Sequence, residues 1–169
     1  VNPAVSPEQQ AHFLEKMHAQ TAKIDWILKS LFKMAKLEQN AIDFEIAPLP
    51  IHDTLMDALN TIYTKAKQKQ IQIELETKKN PVLLHNRQWT AEVFANLLEN
   101  AVKYTDAGGK IRITIQSLEM YTQISFSDTG IGIDPSEYQA IFRRFYRSKQ
   151  VENIEGSGIG LYLSKMILE

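Results

Sequence analysis

The first forty residues carry a stripe of apolar and small side chains at coiled-coil spacing. Met17, Thr21, Ile24, Leu28, Leu31 and Ala35 follow one another at steps of 4, 3, 4, 3 and 4. That repeat keeps one helical face against partner helices. Phe13, Ile27 and Met34 widen the face beyond what a two-stranded zipper needs. Ser6 before Pro7 suits a helix start, with a side-chain cap and Pro at the first helical position. The pattern predicts one long helix over residues 7–42, packed on other helices of a bundle.

The pattern then breaks. Pro48 and Pro50 remove backbone donors and fix φ, so residues 43–51 cannot be helical throughout. Phe44, Ile46 and Leu49 suit a short edge strand, and a domain boundary falls near residue 45. Beyond it, Leu55, Met56, Leu59, Ile62, Tyr63 and Ala66 define an amphipathic helix over 53–70. Ile71, Ile73 and Leu75 alternate with polar residues as a half-buried strand, and Val82-Leu83-Leu84 form a second. A helix over 86–104 ends in a turn at Asp106-Ala107-Gly108-Gly109. Ile111, Ile113 and Ile115 form one strand, Ile124 and Phe126 another, joined by a hairpin within 116–123. A loop-rich stretch, 128–156, leads into a last helix from about Ser157. Helices followed by adjacent hairpins give an α+β class: a mixed sheet with helices on one face.

Composition narrows the chemistry. The 169 residues include 19 Lys and Arg against 20 Asp and Glu, a balance that argues against a dedicated nucleic-acid binder. With no Cys, disulfides and Cys-ligated metals are excluded. No apolar run approaches a membrane span. The start, Val1-Asn2-Pro3-Ala4-Val5, lacks a basic flank and an apolar core, so it is no signal peptide. Without an initiator Met, the chain reads as a fragment of something longer.

Four segments carry candidate chemistry. On the 86–104 helix, Asn96 and Asn100 lie at i and i+4, with Lys103 at i+7, so two amides and a cation share one face. That set suits a hydrated Mg²⁺ held together with phosphate oxygens, and equally an ordinary polar helix face. Asp128-Thr129-Gly130-Ile131-Gly132-Ile133 follows a strand. Its glycines allow tight backbone beside a ligand. A buried Asp128 would accept from an exocyclic amine and so prefer adenine to guanine; a plain Asp-Gly turn is the alternative. In Phe142-Arg143-Arg144-Phe145-Tyr146-Arg147-Ser148-Lys149, aromatics anchor a loop while Arg147 and Lys149 reach phosphates, or the loop is merely basic. Gly156-Ser157-Gly158-Ile159-Gly160-Leu161 opens the last helix and can expose backbone N–H groups to an anion. It is neither a Walker loop nor a Rossmann fingerprint.

The order of the four segments resembles the N, G1, F and G2 boxes of the ATP-binding domain of sensor histidine kinases. The match spans residues 92–165. Upstream, Met17 to Glu38 resembles the second helix of that family's dimerisation and phosphotransfer hairpin. The resemblance implies a two-layer α/β sandwich of the gyrase and histidine-kinase (Bergerat) type behind a long bundle helix. Residues 1–44 would be the C-terminal helix of the hairpin and 45–169 the catalytic domain. ATP and Mg²⁺ are the implied cofactors. By matching position, Asn100 would hold the metal, with Asn96 beside it at the phosphates. Lys103 would contact phosphate, Tyr104 would line the nucleotide, and Asp128 would bind the adenine amine. Gly130, Gly132 and Ile133 would give the base room. Phe142 and Phe145 would hinge a lid, and Arg147 would reach the γ-phosphate. Gly156, Ser157, Gly158, Ile159, Gly160 and Leu161 would close over the triphosphate. Asn96, Lys103 and Arg147 are the implied catalytic group. The resemblance also implies a response-regulator partner, homodimerisation through the hairpin in the full-length protein, and a cytoplasmic site with that protein anchored in the membrane.

Gyrase-type relatives place a Glu at the position of Asn96 to activate water; an amide is a poor base, which favours transfer over hydrolysis. A gyrase-type ATPase and a non-catalytic nucleotide-sensing module remain the alternatives. The four histidines, His12, His18, His52 and His85, do not fit an acceptor box and read as surface residues, so the phosphoacceptor lies outside this chain. The resemblance also leads to the expectation of a final β-hairpin after the last helix, where this sequence stops at Leu168-Glu169; either it is cut short there or the fold is completed differently.

Overall fold

The computed structural model describes residues 6–39 and 41–169. The chain divides into two compact units, Val1–Ile42 and Asp43–Glu169.

Among the described residues the first unit holds one helix, α1 (Pro7–Glu38). Ser6 and Gln9 form a reciprocal capping box, each side chain meeting the other's backbone N–H at 3.2 and 3.1 Å, so two orphan donors are satisfied at the start. The helix stops four residues before the expected end. The Gln39 N–H turns back onto the carbonyls of Ala35 and Leu37, closing the last turn; position 40, inside the expected range, lies outside the described residues, as does the opening Val1–Val5 segment. Met17, Ile24 and Leu28 of the seam are each more than half exposed.

The second unit begins with strand β1 (Ala47–Pro50) and helix α2 (Ile51–Gln68). β1 lies three residues later than the apolar pattern suggested and contains both prolines. Among the described residues it pairs with one neighbour, β3 (Val82–His85), antiparallel with Pro48 opposite Leu84. A two-stranded ribbon tolerates missing donors because one edge is unpaired. α2 starts two residues earlier than expected. Pro50 offers no side-chain cap, and the first N–H groups are satisfied from far along the chain, Ile51 by the Pro81 carbonyl and His52 by Asn80 Oδ1, both at 3.1 Å.

The main sheet runs β2 (Gln72–Thr77), β4 (Lys110–Ser117), β5 (Thr122–Asp128). β2 and β4 are parallel, with β3 and helix α3 (Arg87–Tyr104) in the crossover; β4 and β5 form an antiparallel hairpin. The register puts Ile73, Leu75, Ile111, Ile113, Ile115, Ile124 and Phe126 on one face. That face and the apolar sides of α2 and α3 make one core, in which Leu55, Ile62, Leu98, Ile111 and Ile113 are fully buried. The opposite face carries a charge ladder: Glu74 meets Lys110 at 2.8 Å and Arg112 at 3.3 Å, and Arg112 meets Glu76 at 3.2 Å. Two layers, helices on one sheet face, follow from this period-two alternation.

His85 is not a plain surface histidine. Its Nδ1 lies 2.9 Å from the Leu83 carbonyl, to which it donates, and its Nε2 lies within hydrogen-bond distance, 2.8 Å, of the buried Thr54 hydroxyl. A final helix, α4 (Gly160–Leu168), packs on α3. Among the described residues, no helix is long and apolar enough to cross a membrane.

Candidate functional site

α3 is the spine of the site. Asn86 caps it, Oδ1 accepting from the Trp89 N–H at 3.0 Å. Phe94, Leu98, Ala101 and Val102 bury one side in the core. Asn96, Asn100 and Lys103, at i, i+4 and i+7, are half-buried on another. Glu99 is turned away from them: its carboxylate lies 3.8 Å from Lys65 Nζ on α2.

Three parts of this helix each meet a different segment. Near the middle, Asn96 faces α4. Its Nδ2 donates to Ser164 Oγ at 3.2 Å, and a Cβ at Gly160 would lie 3.5 Å from its Oδ1. That is ordinary van der Waals contact, so the start of α4 packs against the amide without a clash. One residue from the end, the Lys103 ammonium stands 4.7 Å over the Tyr104 ring and reaches Gly156. A Cβ at Gly156 would lie 2.6 Å from Lys103 Nζ and 3.7 Å from Arg147 Nε. At the last residue, the Tyr104 carbonyl accepts from the Ile131 N–H at 3.4 Å and would be 2.5 Å from a Cβ on Gly130.

The stretch between β5 and α4 has three isolated 3₁₀ turns, Pro135–Glu137, Ala140–Phe142 and Lys149–Val151. Local polar contacts hold it. Asp128 Oδ1 accepts from the Gly130 N–H at 2.8 Å, an Asx turn. Asp128 is exposed rather than enclosed, at the end of the apolar sheet face, opposite Ile111. Asp134 caps the first turn through Ser136, whose hydroxyl and N–H hold its carboxyl below the ordinary range. The Tyr146 hydroxyl donates to Glu137 at 2.6 Å, and that neighbouring carboxylate pushes the phenol's pKa up. Arg144 lies over the Tyr162 ring, 5.2 Å away, tying the stretch to α4.

Two expectations change in detail. Phe142 and Phe145 are both exposed, so their rings do not anchor the loop. Phe145 holds it instead through its backbone: its φ is 63°, its N–H donates to the Gly158 carbonyl at 3.0 Å, and Gly158 answers with φ 69°. Arg147 Nη2 is taken up by its own loop, donating to the carbonyls of Val151 at 2.6 Å, Glu152 at 3.3 Å and, most closely, Ile154. Its Nε is buried without a partner beside Gly156. Gly132, at φ 71°, and Ile133 lie exposed on the 129–134 loop. Ser157 Oγ accepts from the Ile159 N–H at 3.3 Å, Ile159 is fully buried, and Leu161 is half-buried in the first turn of α4.

The structure thus brings Asn96 to Gly160, Lys103 and Arg147 to Gly156, and Tyr104 and Asp128 to Gly130. The arrangement offers two cations and the open N-terminal turn of α4 to a polyanion. Residues 85–169, half of the chain, match the family described as histidine kinase-, DNA gyrase B- and HSP90-like ATPase. The chain belongs to that ATPase family. Its sequence is similar to the Drug sensory protein A of Synechocystis (31% identity over 97% of this chain and 26% of that protein). It is also similar to the sensor protein kinase PmrB of Pseudomonas aeruginosa (29%, 96% and 34%). The chain spans about a quarter to a third of the length of these curated relatives. Its fold is like that of full-length ShkA in complex with AMPPNP, with a TM-score of 0.80 at 23% identity over 98% of this chain and 35% of that one. It is also like the histidine kinase ThkA in complex with the response regulator TrrA (0.71, 19%, 89% and 46%).

Within this ATPase fold, sequence reasoning missed three supports of the site. Ser164, one turn beyond Gly160, orients Asn96; its spacing on α4 was readable, its partner was not. Glu137 and Tyr146 are nine residues apart and show no periodic signal. Lys69, on α2's C-terminal side, bonds the end of α3 across more than thirty residues.

Proposed function

We propose that this chain is the ATP-binding part of a sensor protein-histidine kinase. It transfers the γ-phosphate of Mg-ATP to a His outside the chain, for relay to a response-regulator Asp. The observation that carries the reading is the meeting of Lys103 and Arg147 at Gly156, on the same helix face as Asn96 and Asn100. A cradle with no side chain, bordered by an ammonium and a buried, unpartnered guanidinium Nε, fits a phosphate group.

In this reading Asp128 takes the adenine amine beside Gly130 and Gly132, and Tyr104 lines the nucleotide. Lys103, Arg147 and the first N–H groups of α4 hold the phosphates. Asn100 would supply a neutral oxygen for Mg²⁺, which neutralises phosphate charge when bound, with Asn96 beside it at the phosphates. Arg147 must exchange its loop carbonyls for phosphate oxygens when nucleotide binds. An amide at position 96, with Glu99 engaged by Lys65, leaves no carboxylate placed there to activate water, which favours transfer to imidazole. The bond from the γ-phosphorus to its bridging oxygen breaks, a phosphorus–nitrogen bond forms, and ADP leaves.

The long α1 helix, with exposed Met17, Ile24 and Leu28, is read as one helix of the dimerisation and phosphotransfer hairpin. The domain division is read as 1–44 and 45–169, two residues beyond the break between the compact units Val1–Ile42 and Asp43–Glu169. The whole protein is read as a homodimer acting at the cytoplasmic side of a membrane that anchors it. The test is to incubate the chain with labelled ATP, Mg²⁺ and a separate helical hairpin carrying the acceptor His. Label on that His is expected. A hairpin left unlabelled while ATP binds would overturn the reading, and steady phosphate release without the hairpin would turn it to a gyrase-type ATPase.

A further inference from the structure

Lys69 belongs to none of the four motif segments, yet it closes the end of the helix that carries the site. Its ammonium donates to the carbonyls of Val102, Lys103 and Thr105 at 2.9, 3.0 and 2.9 Å. All three of its protons are used. Its own carbonyl accepts from the Gly108 N–H at 2.9 Å, so side chain and backbone together clasp the turn that leaves α3. The next residue, Gln70, has φ 56°, a conformation a non-glycine residue rarely adopts. It swings the chain so that Ile71 N–H returns to the Ala66 carbonyl at 2.9 Å and Lys69 faces α3.

The last carbonyls of a helix are unsatisfied and carry a partial negative charge. Here they lie in the same turn as Lys103, whose ammonium meets Gly156, and Tyr104, whose carbonyl meets Gly130 and Ile131. Left bare, that end would fray and would repel an anion. With three carbonyls on one ammonium, the turn is fixed and its partial charge offset.

We propose that Lys69 is a positioning residue for the nucleotide site: it fixes the last turn of α3 so that the Lys103 ammonium stands at Gly156. The proposal rests on the nucleotide reading above. It acts through Lys103, not through direct contact with phosphate.

The experiment measures binding of a fluorescent ATP analogue in Mg²⁺, displaced by ATP. The proteins are the unsubstituted chain, Lys69→Met, Lys69→Arg, Lys103→Met, the Lys69→Met/Lys103→Met pair, and Lys67→Met on the exposed side of α2 as a control. Thermal unfolding is followed in parallel. Lys69→Met is expected to bind ATP about tenfold more weakly at a temperature where it stays folded, the scale of a misplaced contact. Lys69→Arg recovers most of that loss, and Lys67→Met shows none. In the Lys103→Met background the Lys69→Met loss shrinks to about twofold or less, because two residues acting through one contact are not additive. Where Lys69→Met melts below the assay temperature, Lys69→Gln, which keeps two donors without the charge, is read by the same thresholds. Unchanged affinity in Lys69→Met overturns the proposal and leaves the nucleotide reading standing. A tenfold loss that persists without Lys103 also overturns it, since that marks a purely structural role. No binding by the folded, unsubstituted chain overturns both.

Discussion

The helix–sheet layer and the stretch from Thr129 to Ile159 are built on different principles. In the layer, side chains from α2, α3, β2 and β4 bury one another, and Leu55, Leu98, Ile111 and Ile113 have no exposed surface. In the stretch, only Val151 and Ile159 are buried, and single polar contacts set the path: Asp128 on Gly130, Asp134 on Ser136, Tyr146 on Glu137, Arg147 on three carbonyls. The layer is held by area removed from water, which is non-directional and large. The stretch is held by hydrogen bonds, each worth little net and easily exchanged for bonds to a ligand. The candidate site lies on the border between the two: α3 presents groups fixed by the layer, and the stretch presents groups held by single hydrogen bonds.

The contrast predicts that stability and binding separate. The largest effect belongs to the layer. Leu98→Ala removes a fully buried side chain and should cost about 2–5 kcal/mol in denaturant unfolding, the usual range for such cavities. At the border, Gly156→Ala should leave the unfolding midpoint nearly unchanged, because the atom it meets is the mobile tip of Lys103. ATP affinity should nonetheless fall about tenfold, because the ammonium is pushed from its place. A Gly156→Ala protein that is destabilised but binds normally would erase the border. Within the stretch, Tyr146→Phe removes one hydrogen bond to Glu137, worth about 1 kcal/mol. Amide exchange should quicken across 135–146 and stay unchanged in β4.

The smallest effect concerns the outer sheet face. Lys110, and then Arg112, hold the Glu74 carboxyl below its ordinary pKa. A lowered folded-state value means that the stabilisation is present above the ordinary carboxylate range and is lost as pH falls through the lower folded value. Glu74→Gln should therefore flatten the acid side of the stability profile while changing little at neutral pH, since exposed ion pairs contribute little. ATP affinity should not change.

The sequence made the layer legible almost residue by residue, because burial on a strand or helix leaves a period of two or about 3.6. Ile111, Ile113 and Ile115 announced β4, and Asn96, Asn100 and Lys103 announced a shared face. The parallel pairing of β2 with β4 had no such signal, since strand partners are chosen across the chain. The ends of α1 and α2 moved because Gln39 turns back on its own helix and because Pro81 and Asn80 cap α2 from a distance. In the candidate site, the glycines were readable as room, but what they make room for was not. That Gly156 admits Lys103, that Ser164 orients Asn96, and that Lys69 clasps α3 all depend on contacts between residues far apart in sequence. Nor could spacing show that Arg147 is held by its own loop, or that Asp128 is exposed.

The most direct test of the account is a calorimetric titration of the chain and of Lys103→Met with ATP in Mg²⁺. The unsubstituted chain should give saturable one-site binding. Lys103→Met should bind at least about tenfold more weakly, a loss of about 1.4 kcal/mol, with its unfolding temperature unchanged. No saturable heat from the folded chain, or equal affinity in the two proteins, would contradict it.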